Sequence, residues 1–315
     1  MMPPAGLAYL SIFVGVLGHS SSEFFAVLSG VAGPEVSVWR YLLGGAGLIV
    51  VALFMPGTRD LVTPLRERPW AILFLSLFGV SVPYLAFHWA LDFATIVQVG
   101  TLVTTMPIFV ALINLAVNRM PVGVPKMISG VCAVLGVALL LTDGYLARLA
   151  GTGDSLYGIG LTLVCAAAGS GYAVLVRPMI NQYGAIRITT ITMALGGIFL
   201  WILVGLFWNV WVDPLTLFDR APVASWSLLT LAMFNTTITQ LFWLWGLAKV
   251  PDITRGSYLF FLKPVITAVL ALAILAQPIT LVQVLAIIVV CGSVLVELAW
   301  PWLVARRARD TADTT

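Results

Sequence analysis

The stretch GHSSSEFFAVLSG (residues 18–30) sets a histidine, three serines and a glutamate inside an otherwise apolar run. On a helix Gly15, His19, Ser22 and Glu23 share one face, and such a face can exchange a proton or hold a polar solute. Lys263, in FFLKPV, offers an ammonium group to a carboxylate or another anion. Polar and aromatic residues recur at helical spacing elsewhere: Gln98, Thr101 and Thr105; Thr236, Gln240 and Trp243; Ser81, Tyr84 and His88. Tyr258 lies just upstream of Lys263. The candidate substrate-binding set is therefore Lys263, Glu23, His19, Tyr84, His88, Gln98, Thr101, Thr105, Gln240, Trp243 and Tyr258, a mixed aromatic and hydrogen-bonding lining. Any one stripe also suits plain helix packing, and His88 and Trp245 suit a membrane–water interface.

Catalytic chemistry finds less support. There is no GxxxxGK[ST] loop and no HExxH, and the two histidines are His19 and His88. A hydrolase built on His19 and Ser20, Ser21 or Ser22 would need neighbours that point about 100° apart on a helix to converge. No enzyme, metal or cofactor is expected. Cys132, Cys165 and Cys291 form no CxxC pair and read as buried thiols.

The elements that position these residues follow from composition. Hydrophobic residues make up 61% of the 315 and charged residues 9%, with a mean hydropathy of +1.06. A soluble domain carries roughly 25% charged residues. A spanning helix needs about 20 mostly apolar residues, and ten windows qualify, near 5–29, 35–55, 70–91, 95–117, 124–142, 157–179, 187–211, 224–248, 253–275 and 279–299. Helices are preferred because a bilayer leaves unpaired backbone groups unsatisfied. The first segment lacks a positive n-region and is long enough to remain as a span.

Ten spans put both termini on one side. Arg59, Arg66, Arg68, Arg119, Lys126, Arg177, Arg187, Lys249, Arg255, Arg306, Arg307 and Arg309 then share that side. Arg148 and Arg220 fall opposite, and Arg40 lies just inside the second helix. The positive-inside rule makes the shared side cytoplasmic, in a bacterial inner membrane. The basic balance reflects this sorting, so no nucleic-acid partner is expected.

The chain also repeats itself. TTMPIFVALINLAVNRMPV (104–122) matches FLKPVITAVLALAILAQPI (261–279), with Pro107 and Pro121 answered by Pro264 and Pro278. AFHWALDFATI (86–96) answers WLWGLAKVPDITR (243–255). Two five-helix halves follow, 1–143 and 155–305, with 306–315 as a cytoplasmic tail. Five is odd, so the halves enter the membrane from opposite sides, an inverted repeat with a site near the midplane.

The order LGHSSSEFF, SVWRYLLGG, ALDFATIVQVGTLVTTMPIFVALI and GLAKVPDITRGSYLFFLKPVITAVLALAILAQPIT resembles the EamA family of the drug/metabolite transporter superfamily, over nearly the whole chain. The resemblance implies ten helices in two inverted repeats, a central cavity and export of small metabolites, amino acids or drugs. Family members often carry Gly-Glu at the ends of helices four and nine. Here those places hold Arg119-Met120 and Ala276-Gln277, so no role for that glutamate carries over.

Two readings of Glu23 compete. It pairs with Arg40 or Lys263 as structure, or it lines the pathway with His19 and binds a proton or substrate group. Lys263 lies near the midplane, and its counterpart in the first half is Met106, so the scaffold does not require a lysine there. The expected function is alternating-access export of a small solute bearing a carboxylate and an apolar or aromatic body, with a proton as possible coupling ion. The alternatives are a proton-coupled exporter of cationic drugs and a lipid flippase.

Overall fold

The computed structural model describes residues 5–94, 96–142, 153–275 and 280–312; among them there are helices and no strands. Eight helical segments are long and apolar enough to cross a membrane. They are α1 (Ala5–Ala26), α2 (Gly33–Phe54), α3 (Pro69–Ala90), α4 (Gln98–Asn118), α6 (Ser155–Tyr183), α7 (Ala185–Trp208), α9 (Ile253–Leu270) and α10 (Leu281–Trp300). Between them lie a shorter apolar helix, α5 (Val124–Leu140), and α8, the run 222–249. The second of these is built from Pro222–Ala232, a π turn Met233–Ile238 and Thr239–Lys249. Its middle, NTTITQ, is polar, which lowers its hydropathy. The helix carrying α10 continues to Ala312, so residues 306–312 extend it.

Proline sits where its missing N–H costs nothing: Pro34, Pro69 and Pro222 open α2, α3 and α8, and Pro107 lies in the first turn of Met106–Asn118, the second part of α4. The packing is pairwise. α1 lies against α8, α3 against α6, α2 against α7, and α5 against α10; α9 lies on α1 and α4 on α6. Small residues permit the close approaches. A Cβ on Gly18 would fall 1.8 Å from the Thr239 hydroxyl oxygen, and one on Gly15 would fall 2.9 Å from the Trp243 backbone. Helices in lipid gain from such approach because no hydrophobic force drives them together.

Irregular turns occur at matched places. α3 contains a π turn at Leu77–Ser81, and α8 has its own at Met233–Ile238. α4 breaks at Thr104 and Thr105, between Ile96–Val103 and Met106–Asn118. α9 tightens to a 3-10 turn at Tyr258–Phe261 before Leu262. α1 is interrupted at Ser21.

Candidate functional site

The interruption in α1 frees backbone carbonyls, and the serine run deals with them. Ser20 Oγ donates to Val16 O at 2.7 Å, Ser21 Oγ to Gly18 O at 3.1 Å and Ser22 Oγ to His19 O at 2.9 Å. Asn235, in the α8 π turn, donates to Gly18 O at 2.5 Å and to Ser21 Oγ at 2.9 Å. From α9, Thr267 Oγ1 donates to Ser20 O at 3.0 Å. The hydroxyls thus cap carbonyls within the broken helix, Asn235 and Thr267 tie it to α8 and α9, and His19 is left facing inward.

His19 packs edge-on to Trp243 at 5.8 Å and to Phe260 at 5.9 Å between ring centroids. These rings border a cavity of about 50 Å³, also lined by Ser22, Arg40, Pro83, Tyr84, Phe87, Val103, Met106, Cys165, Gly169 and Lys263. Lys263 Nζ stands 5.5 Å from the Phe87 centroid and 5.7 Å from that of Phe260, within cation–π range. The 3-10 turn that ends at Phe261 aims Lys263 inward, and it is 6% exposed.

Arg40 supplies a second positive charge. It is 2% exposed, with Nε donating to Thr236 Oγ1 at 3.0 Å and Nη2 to Asn235 O at 3.1 Å. Its guanidinium lies 5.8 Å from the Tyr84 ring and 5.6 Å from that of Tyr41. The Tyr84 hydroxyl accepts from Gln240 Nε2. The π turn of α8 makes this cage possible: a wider turn presents Asn235 O and Thr236 Oγ1 to a neighbouring helix. Among the described side chains, those lining the cavity carry two cations and no carboxylate. The Glu23 side chain lies outside the described residues.

The structure thus brings together His19, Tyr84, Trp243 and Lys263, with Gln240 behind Tyr84. The other predicted residues lie elsewhere. His88 turns to Ser37 on α2, at 2.8 Å. Ser81 donates to Gly196 O on α7 at 2.9 Å, because the π turn rotates it away from the Tyr84 face. Gln98 and Thr101 are buried in the first part of α4 and do not line the cavity. Thr105 Oγ1 donates to Leu102 O at 2.6 Å, within the α4 break. Tyr258 points to the opposite end, its hydroxyl donating to Lys126 O. Trp245 lines an apolar groove of about 400 Å³ on the outer surface of α1, α7 and α8.

Sequence reasoning passed over Arg40 as a cavity residue, along with Phe87, Val103, Met106 and Phe260. The repeat held a usable signal: Val103 answers Phe260 and Met106 answers Lys263 at the proline-matched register, and all four line the cavity.

Charged pairs join elements near both ends of the bundle. Lys126 on α5 pairs with Asp252, which also caps α9 by accepting from Thr254 N at 3.0 Å and Arg255 N at 3.2 Å. Burial pushes the Asp252 carboxyl up, but Lys126, the Arg255 amide and the Arg255 charge together hold it below the usual carboxylate range. Arg255 Nε meets Glu297 Oε1 at 3.0 Å. At the other end Arg220 Nη2 meets Glu35 Oε1 at 2.6 Å and lies 5.0 Å from the Trp39 ring, while Trp39 Nε1 donates to the same oxygen at 3.1 Å.

Known proteins share this fold. The EamA-like transporter family matches residues 6–142 and 156–298. An "Uncharacterized transporter YyaM" of Bacillus subtilis is 24% identical over 298 residues, covering 91% of this chain and 93% of that protein. An "Uncharacterized transporter" of Archaeoglobus fulgidus is 27% identical over 238 residues, covering 75% and 78%. A crystal structure superimposes with a TM-score of 0.74 at 20% identity, covering 96% of this chain and 98% of its own, a likeness of fold. A helical bundle with apolar spans, a charged inner cavity and a family match over both halves makes this an integral membrane transporter, and the chain belongs to the EamA-like transporter family.

Proposed function

We propose that the protein exports a small organic solute bearing a carboxylate and an apolar or aromatic body, amino acids and related metabolites fitting best. The observation that carries this reading is the convergence of Arg40, from the first half of the chain, and Lys263, from the second, on one aromatic cavity. A solute anion there is attracted by both side chains, and in surroundings of low dielectric a charge-assisted hydrogen bond outweighs a neutral one. His19, Trp243, Phe87 and Phe260 receive the apolar body.

The mechanism proposed is alternating access between two inverted repeats with ten membrane crossings and cytoplasmic termini, in a bacterial inner membrane. Several features support it. Exchanging helix one for six and three for eight turns the α1–α8 contact into the α6–α3 contact, and maps α2–α7 and α5–α10 onto themselves. The π turns and the breaks in α4 and α9 follow the same exchange. A cavity of about 50 Å³ holds a few waters and not an organic solute, so the two ends closed by Lys126–Asp252 and Glu35–Arg220 open in turn. Proton coupling through His19 or Glu23 belongs to the same reading.

The test is transport into and out of vesicles carrying the purified protein, with a panel of amino acids, organic acids and cationic dyes. Carboxylate-bearing solutes should exchange and cationic dyes should not. Preference for the dyes would overturn the reading.

A further inference from the structure

Between the ends of α3 and α6 that carry Arg68 and Gln182 lies a groove of about 410 Å³. Ala71 and Phe74 form its α3 wall, and Leu175, Pro178 and Met179 its α6 wall. These residues stand in two membrane spans, where an outward side chain meets hydrocarbon; Phe74 is 51% exposed and Leu175 38%. Pro178, inside α6, has no amide to give Val174 O, and it presents its ring to the groove. At a helical rise of about 1.5 Å per residue the groove runs roughly 10 Å along both helices, from Arg68 to Leu75 and from Gln182 to Leu175. One end is polar and cationic, and the rest is apolar.

Arg68 supplies the charge of this lining, and among the described residues it makes no ion pair. The neighbouring Glu67 does not line the groove. Its Oε2 accepts from the Tyr183 hydroxyl at 2.7 Å, a bond that ties the chain before α3 to the end of α6. Arg68 lies beside the same hydroxyl, and Gln182 adds the donors of its amide. Trp70, next along from Arg68 and 82% exposed, suits the headgroup level of a bilayer. Two other outer grooves, of about 400 and 550 Å³, are lined by no charged side chain among the described residues. The cation therefore singles this groove out. Its polarity is complementary to a molecule that is anionic at one end and carries a flexible apolar chain, and the surrounding bilayer supplies such molecules at high local concentration.

We propose that this groove holds an anionic glycerophospholipid, its phosphate at Arg68 and Gln182 and one acyl chain along Phe74, Leu175 and Met179. A free anion has no use for the apolar walls, and a zwitterionic lipid brings a compensating cation that weakens its attraction to Arg68. The inference rests on the membrane placement of α3 and α6 and is independent of the solute read in the central cavity. The same two helices line that cavity through Tyr84 and Phe87 and through Cys165 and Gly169, so the lipid is bound by helices that shape the solute site.

The test uses the full chain in a non-ionic detergent and reads lipid binding by native mass spectrometry. The probes are phosphatidylglycerol and phosphatidylcholine with identical acyl chains, and glycerol 3-phosphate as an anion without a chain. Phosphatidylglycerol should bind about fivefold more tightly than phosphatidylcholine, the effect of one basic side chain on an anionic lipid, and glycerol 3-phosphate should not compete. Arg68→Gln, at an exposed position, should erase the preference. Arg59→Gln, which removes a cation outside the groove whose Nε donates to Leu53 O at 2.8 Å, should keep it. Ala71→Trp fills the groove from an exposed position of α3 and should weaken both lipids. Equal binding of the two lipids by the unaltered protein overturns the site. So does a preference that survives Arg68→Gln, one lost equally in Arg59→Gln, unchanged lipid binding in Ala71→Trp, or displacement of the lipid by glycerol 3-phosphate.

Discussion

Met106 and Lys263 stand at the same place in the two halves, each just past the break of its helix and just before a proline, and both line the central cavity. One position is therefore apolar in one half and cationic in the other. Under the proposed repeat the two positions are equivalent, so a role of Lys263 toward a solute can be tested apart from the role of its helix in the fold.

Lys263→Met is accordingly expected to leave the protein folded and to reduce transport of carboxylate-bearing solutes by at least about tenfold, read as initial rates in vesicles. Lys263→Arg should recover part of the loss, because a planar guanidinium on a longer stem meets a carboxylate with different geometry. Normal transport by a well-folded Lys263→Met protein would contradict the anion reading.

Arg40 is held in place by α8, so its support can be removed without touching it. Thr236→Val deletes the oxygen that accepts from Arg40 Nε and should cost about 1–3 kcal/mol, the range for leaving a buried donor unsatisfied. Thermal unfolding of the detergent-solubilised variant measures this. Thr230→Val, at a half-buried threonine whose hydroxyl bonds within its own helix, is the control and should unfold with the parent.

Gly33 tests the close approach of α2 to the end of α3. A Cβ there would fall 2.2 Å from His88 O, a backbone atom that cannot swing aside. Gly33→Ala should destabilise by about 1–3 kcal/mol, as overpacking does. Gly6→Ala, with nothing within 4 Å of the added atom, should have no such effect on the melting temperature.

The Lys126–Asp252 pair should write a pH signature. The folded protein holds the Asp252 carboxyl below its ordinary 3.8, so the folded state favours the charged form. Its stabilisation is fully present above the ordinary value and fades as pH falls through the lower folded value. Asp252→Ala removes a helix cap and a partly screened ion pair, together about 1–2 kcal/mol near neutrality. The gap in melting temperature between Asp252→Ala and the parent should narrow below about pH 4. A gap that stays constant down to pH 3 would contradict the lowered carboxyl of Asp252.

Much of the helical frame was legible because apolar runs and paired prolines are long-range signals that survive without neighbours. His19, Tyr84, Trp243 and Lys263 were legible for a related reason: a polar or aromatic residue at membrane depth must face something. Arg40 was harder. Its position near a helix end suggested a structural partner for Glu23, and the π turn that cages it has no pattern in a single chain. The same hidden turn explains Ser81, whose helical spacing with Tyr84 holds only if the turns between them are regular. His88 and Tyr258 share stripes or neighbourhoods with cavity residues, yet each is claimed by a backbone oxygen that no spacing rule reveals.

The size of the central cavity carries a further consequence for affinity. Sites that hold small organic molecules occupy about 300 Å³ or more, against about 50 Å³ here. Under the proposed alternating access a solute selects a wider conformer, and its apparent dissociation constant is the intrinsic one divided by the fraction of molecules already wide. The same proposal expects that loosening either ion pair, Lys126–Asp252 or Glu35–Arg220, raises that fraction. Such a variant tightens equilibrium binding without adding one contact to the solute, and the gain stops once the wide form predominates.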